Sequence, residues 1–176
     1  MNNIFLEKYH QFINKEISYD EAKSSVVQIM AEYYIKNEFE KVLACKAKED
    51  LNVLFQLISW FNLEEKYLPD YHKLLLESWH FRHEWLIDVI MNHKNPLSIP
   101  YIVKALELND INYIINHDTD YPSFVRKCMW ALANIDTTES RNQLSTYLLS
   151  DNKVILKFAD EQLRWLKGEK GMRYMG

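Results

Sequence analysis

No glycine occurs between Met1 and Lys167; all three in the chain lie in the final stretch "GEKGMRYMG", Gly168 to Gly176. Glycine takes up the positive backbone angles of tight hairpin turns without steric cost. A sheet protein of 176 residues would need it at many corners. Without it, and with only four prolines, the chain is restricted to helices joined by short polar turns. The fold class is all-α.

The apolar periodicity supplies the helices. Ile4, Phe5, Tyr9, Phe12 and Ile13 recur at three- and four-residue steps, which predicts an amphipathic first helix. Ser18 and Glu21 form a capping box that opens a second helix running to about Asn37. Two further helices are expected over residues 38–46 and 50–61, the latter capped by Asp50. "NLEEKYLP" reads as a polar turn closing at Pro69, because the residue before a proline is pushed out of the α region. A long helix is expected over residues 70–92, and Ser98 should cap another through Leu108. "DINYIINH" is a short piece leading into the loop "DTDYP". From Pro122 the pattern is regular: helices to Ile135, Leu149 and Leu166, with Asp136 and Glu139 as a second capping box. The tail 168–176 has no apolar periodicity and is expected to be flexible.

Helix pairs joined by short turns suggest stacked repeats. "SFVRKCMWAL", from Ser123, lies over "VILKFADEQL", from Val154, at a shift of 31 residues. Cys128 and Ala159 then coincide, and a small residue there lets neighbouring helices approach closely. The stretch Phe124 to Leu163 resembles a HEAT repeat: a V-R-x-x-A-x-x-A-L helix, a short turn, an A-x-x-x-L helix, then D-N and the next unit. Arg126, Ala131, Leu132, Ile135, Leu144, Leu148, Asp151, Asn152, Ala159 and Leu163 stand at its recurring positions, with Cys128 where alanine is common. The resemblance implies an alpha-alpha superhelix. It divides the chain into divergent N-terminal helices, 1–69, HEAT-like repeats, 70–167, and the tail, and it is strongest in the C-terminal half. Small bacterial proteins of this kind are known by their repeats and carry no activity over to this chain.

Chemistry-bearing residues concentrate in "SWHFRHEW", Ser78 to Trp85. On one helix His80, His83 and Glu84 would share a face. The order matches neither zinc-peptidase motif, H-E-x-x-H or H-x-x-E-H. Deoxyhypusine hydroxylase-like proteins, which share the repeat scaffold, hold two irons with about four His-Glu dyads; His83-Glu84 is a single dyad. A three-ligand site from His80, His83 and Asp118 or Asp120 is the metal reading. The reading we favour is a structural lock, in which the imidazoles hydrogen-bond to Asp118 or Asp120 one repeat later. Trp79 and Tyr121 flank these groups and complete the candidate binding surface; no catalytic residue, metal or cofactor is assigned. Trp85, Trp130 and Trp165 are expected in the core with Trp79, and Trp60 nearer the surface. Tyr33, Tyr34, Tyr67, Tyr71, Tyr101, Tyr113 and Tyr121 are the interface candidates, since tyrosine is enriched where surfaces bind.

Composition narrows the partners. The net charge is −4, and nucleic-acid binders carry a basic footprint instead; this argues against the DNA glycosylases for alkylated bases that use a HEAT-like fold. No stretch has the roughly 20 apolar residues that span a bilayer, and the N-terminus lacks a secretory leader's pattern. Cys45 and Cys128, isolated in apolar surroundings, suit a reducing cytoplasm. The expectation is a non-catalytic cytoplasmic protein that binds another protein. In size, charge and fold it resembles bacterial toxin-neutralising immunity proteins, which implies a basic toxin domain as partner. The alternative is a metal-dependent or base-excising enzyme on the same scaffold.

Overall fold

The computed structural model describes residues 3–26, 31–108 and 119–169, without the side chains of 3–6, 25–26 and 31–34. Among these residues every regular element is helical. No helix of the described residues is long and apolar enough to cross a membrane. The chain forms two compact units, Met1–Tyr67 and Leu68–Gly176.

The first unit contains α1 (Asn3–Ile13), α2 (Tyr19–Val26), α3 (Ala31–Cys45) and α4 (Lys48–Trp60). The Ser18–Glu21 capping box forms: the Glu21 amide donates to Ser18 Oγ at 3.2 Å, and the Ser18 amide donates to Glu21 Oε2 at 2.8 Å. α3 runs unbroken through Asn37, where the sequence suggested a boundary. α4 begins at Lys48, so Asp50 lies in its first turn and is not its cap. Its buried residues, Leu51, Val53, Leu54, Phe55, Leu57, Ile58 and Trp60, surround the helix axis and mark α4 as the core element. Trp60 is fully buried, contrary to expectation, because the rings of Phe12 and Tyr19 close edge-on over it at 5.6 and 6.1 Å. Cys45, expected in apolar surroundings, is exposed at the end of α3.

α5 (Glu64–Leu75) occupies the stretch read as a turn, with Pro69 inside it. Pro69 removes one amide from the ladder, a cost of ~3 kcal/mol in a helix interior. Burial of Tyr67, Leu68, Tyr71, Leu74 and Leu75 offsets that cost. Tyr67 and Tyr71 are therefore core residues, not interface tyrosines.

The second unit continues with α6 (His83–His93), α7 (Ile99–Glu107), α8 (Asp120–Ile135), α9 (Thr138–Thr146) and α10 (Lys153–Leu166). α8 is central and packs against α6, α7, α9 and α10. Phe124, Val125, Met129, Ala131 and Leu132 on α8 are sealed from solvent. Cys128 on α8 and Ala159 on α10 are both fully buried in these packed helices. Trp85, Trp130 and Trp165 are only half-buried, so three of the four tryptophans expected in the core reach solvent. The second capping box falls one residue late. Thr137 caps α9 in reciprocal bonds with Ser140, while Asp136 ends α8 in the left-handed conformation.

What replaces glycine is visible at the helix ends. Among the described residues Lys15, Lys46, Asn62, Lys94 and Asp136 have φ between 49° and 60°, each just past a helix C-terminus. After α1 the Lys15 amide donates to Phe12 O at 3.0 Å and the Glu16 amide to Gln11 O at 2.8 Å, closing a Schellman motif. Gly168, at φ 77°, does the same for α10: its amide donates to Trp165 O and that of Glu169 to Arg164 O. Gly168 and Glu169 thus form a helix stop, and the rest of the expected tail, 170–176, lies outside the described residues.

Candidate functional site

The helix expected across residues 70–92 is broken at its chemical centre. α5 stops at Leu75, α6 starts at His83, and the residues between form a corner. The cause is local. The amides of Leu76 and Glu77 tighten the last turn by bonding to Lys73 O and Leu74 O at 3.1 and 2.9 Å. The carbonyls at a helix end need donors; histidines add one to the Leu74 carbonyl and supply one to the Glu77 carbonyl in the corner. His80 Nε2–H donates to Leu74 O at 2.8 Å, and His83 Nε2–H donates to Glu77 O at 2.8 Å.

The tautomer of His80 follows from its other nitrogen, which accepts the Arg82 amide at 3.1 Å. A ring that accepts at Nδ1 and donates at Nε2 is neutral. The two imidazoles lie nearly parallel, centroids 4.4 Å apart, and Trp79 stands edge-on to His80 at 5.2 Å. Phe124 of α8 meets His83 edge-on at 6.2 Å. Both histidines and Trp79 are buried. Burial, reinforced by the neighbouring His80 and opposed by the bond to Glu77, lowers the His83 pKa to about 4. Both histidines thus bond to backbone carbonyls upstream in the corner; of the carboxylates expected as their partners, Asp118 lies outside the described residues.

Glu84 turns to α8, where Lys127 Nζ lies 3.2 Å from its carboxylate and 2.6 Å from that of Asp88. Burial works against the Lys127 charge, but the two carboxylates outweigh it and hold its pKa above the ordinary value. Asp120 begins α8 and accepts from the Thr119 hydroxyl at 3.1 Å. Tyr121 is half-buried, and its hydroxyl accepts from Asn152 Nδ2 at 2.8 Å. Asp118 lies outside the described residues, as do Tyr113 and the Tyr33 and Tyr34 side chains. The structure therefore brings Trp79, His80 and His83 together, directs Glu84 to Lys127, and joins Tyr121 to Asn152. Among the described residues no three His, Cys, Asp or Glu side chains form a group able to hold a metal ion.

A second polar cluster was not legible in the sequence. His72 Nε2 and Ser98 Oγ are 2.8 Å apart, and the His72 ring stacks on Tyr101 at 4.4 Å and 12°. A serine within hydrogen-bond reach of a histidine is the beginning of a nucleophile–base pair. However, Ser98 is 0% and His72 4% exposed, so no substrate reaches the hydroxyl. Burial lowers the His72 pKa and keeps the ring neutral near pH 7. The two residues are 26 apart in sequence, and no local pattern announces them. Ser98 precedes α7 without capping it; the side-chain cap at this end is Asn95, which accepts the Leu97 amide at 2.9 Å. Cys128 is no nucleophile either: complete burial pushes its thiol well up.

No family model, curated protein or solved structure matches this chain.

Proposed function

We propose that the chain is a non-catalytic binding protein, with residues 70–167 stacked as HEAT-like helical repeats that present a surface to another protein. The observation that carries this reading is the hydrogen bond between Tyr121, at the start of α8, and Asn152, the cap of α10. These residues are 31 apart, the shift at which the two helices resemble one another in sequence. A bond between equivalent ends of successive units is the kind of tie that stacked repeats use. The packing of α8 between α6 and α10 supports the same arrangement. The two histidine clusters support a role without catalysis, because His72, His80 and His83 are buried and each engages a backbone or neighbouring group through Nε2.

Within this class, size and acidity favour a cytoplasmic immunity protein that neutralises a basic toxin domain. Co-expression with the product of the adjacent upstream gene tests this. A stoichiometric complex and restored growth are expected, and neither complex nor protection would remove the immunity reading. Elemental analysis of protein purified without chelator tests the enzyme alternative. Stoichiometric zinc or iron retained through dialysis would replace the binding reading with a metal enzyme.

A further inference from the structure

Among the described residues Arg126 lacks the carboxylate partner that Lys127, Arg141 and Arg164 each have. Lys127 holds Asp88, Arg141 on α9 holds Asp136, and Arg164 on α10 holds Glu169. Arg126 has no carboxylate and no hydrogen-bond acceptor among the described residues. Its guanidinium lies over the Trp130 ring at 5.1 Å, and its Nε is buried without a partner. A buried donor left unsatisfied costs free energy, and a planar guanidinium is a fork that matches the geometry of a carboxylate.

The surrounding ridge has a direction. Arg126, Trp130 and Asn134 recur every fourth residue on α8 and are all half-buried. Asn134 anchors itself by donating to Trp130 O at 2.8 Å, which leaves its Oδ1 to accept. The Trp130 indole N–H has no acceptor among the described residues. The ridge thus offers a cationic fork, an apolar plate and an amide oxygen over about 12 Å of helix. An extended peptide of about four residues spans that length.

We propose that this ridge is the docking line for a short extended segment of a protein partner, with a glutamate or aspartate side chain on Arg126 and an apolar residue on Trp130. The proposal rests on the protein-binding reading and specifies where that binding occurs. Unpaired charge selects the occupant: an acidic side chain pairs with the guanidinium fork, which a basic or neutral segment leaves unmet.

The test is nitrogen-15 NMR of the whole chain titrated with the peptide acetyl-Glu-Leu-Leu-Ala-amide. The Arg126 Nε–H signal, assigned by its loss in Arg126→Lys, and the Trp130 indole signal should shift saturably, with those of Arg141 and Arg164 stationary. Acetyl-Gln-Leu-Leu-Ala-amide should bind about tenfold more weakly, as should the acidic peptide to Arg126→Lys, which keeps the charge and loses the fork. An unchanged spectrum elsewhere shows that this variant is folded. Three results would each overturn the assignment: no shift at Arg126, equal shifts at Arg141 and Arg164, or inorganic phosphate binding more tightly than the peptide. A partner protein that binds Arg126→Lys as well as wild type would also overturn it, while leaving the protein-binding reading intact.

Discussion

A lysine in the left-handed conformation carries a strain of about 1–2 kcal/mol that a glycine does not. Lys94, exposed at the end of α6 with φ 49°, is in that state. Lys94→Gly should therefore raise stability by about 0.5–1 kcal/mol, the strain relief less the added freedom of the unfolded chain. Lys104→Gly, on the exposed face of α7, should lower it by about 1 kcal/mol. Urea melts of both variants test the contrast, and a loss at both would show that Lys94 makes a contact outweighing its strain. Acid gives the second prediction at this scale. The folded pKa of His83, about 4, lies below the ordinary 6.5, so the unfolded chain takes up the proton first as pH falls. The contribution of His83 is complete above about pH 6.5 and is lost down to about pH 4, a change on the order of 2–3 kcal/mol. The buried His72 adds to it in the same direction. His83→Ala should be less stable at pH 7.5, with a shallower dependence on pH across that window. An equally steep dependence would assign the acid response to other groups.

Helix ends and helix faces give the predictions at the element scale. Thr137 and Ser140 exchange the capping bonds of α9 at 2.9 and 3.1 Å, so Thr137→Ala should cost about 1 kcal/mol. Asp136→Ala should act differently, by removing an ion pair with Arg141 that solvent screens, so its effect should be the smaller. Leu132, on the inner face of α8, is fully buried, whereas its repeat equivalent Leu163 on α10 is half-buried. Leu132→Ala should cost about 2–5 kcal/mol and Leu163→Ala distinctly less. Similar losses at both positions in chemical denaturation would mean that α10 is covered as deeply as α8. Helix capping was only partly legible in the sequence. Ser18 with Glu21 has one suitable partner at the right spacing, but "DTTES" offers Asp136 with Glu139 and Thr137 with Ser140. The end of α8 decided between them: Asp136 is needed there in the left-handed conformation and is not available to cap α9.

For the whole molecule, the division into two compact units makes a claim about independence. The boundary at Tyr67 falls inside α5, so a fragment must begin ahead of that helix to keep its first turn. Residues 63–176 should fold alone, with a helical circular dichroism spectrum and a cooperative melt. A featureless thermal transition would mean that the second unit needs the first. That the protein is helical was legible in the sequence, because a chain without glycine before residue 168 lacks the residue that sheet turns favour, and helical periodicity needs only local spacing. It also placed α1, α7, α8 and α10 to within two residues. Which candidate residues meet depended on packing. Pro69 sits inside a helix because buried tyrosines and leucines outweigh its lost bond. The histidine corner breaks a helix that periodicity alone would continue, because two imidazoles take the carbonyls that the next turn would have used. His72 and Ser98 become partners through packing of elements 26 residues apart. Such pairings depend on distances that no local pattern in a chain records.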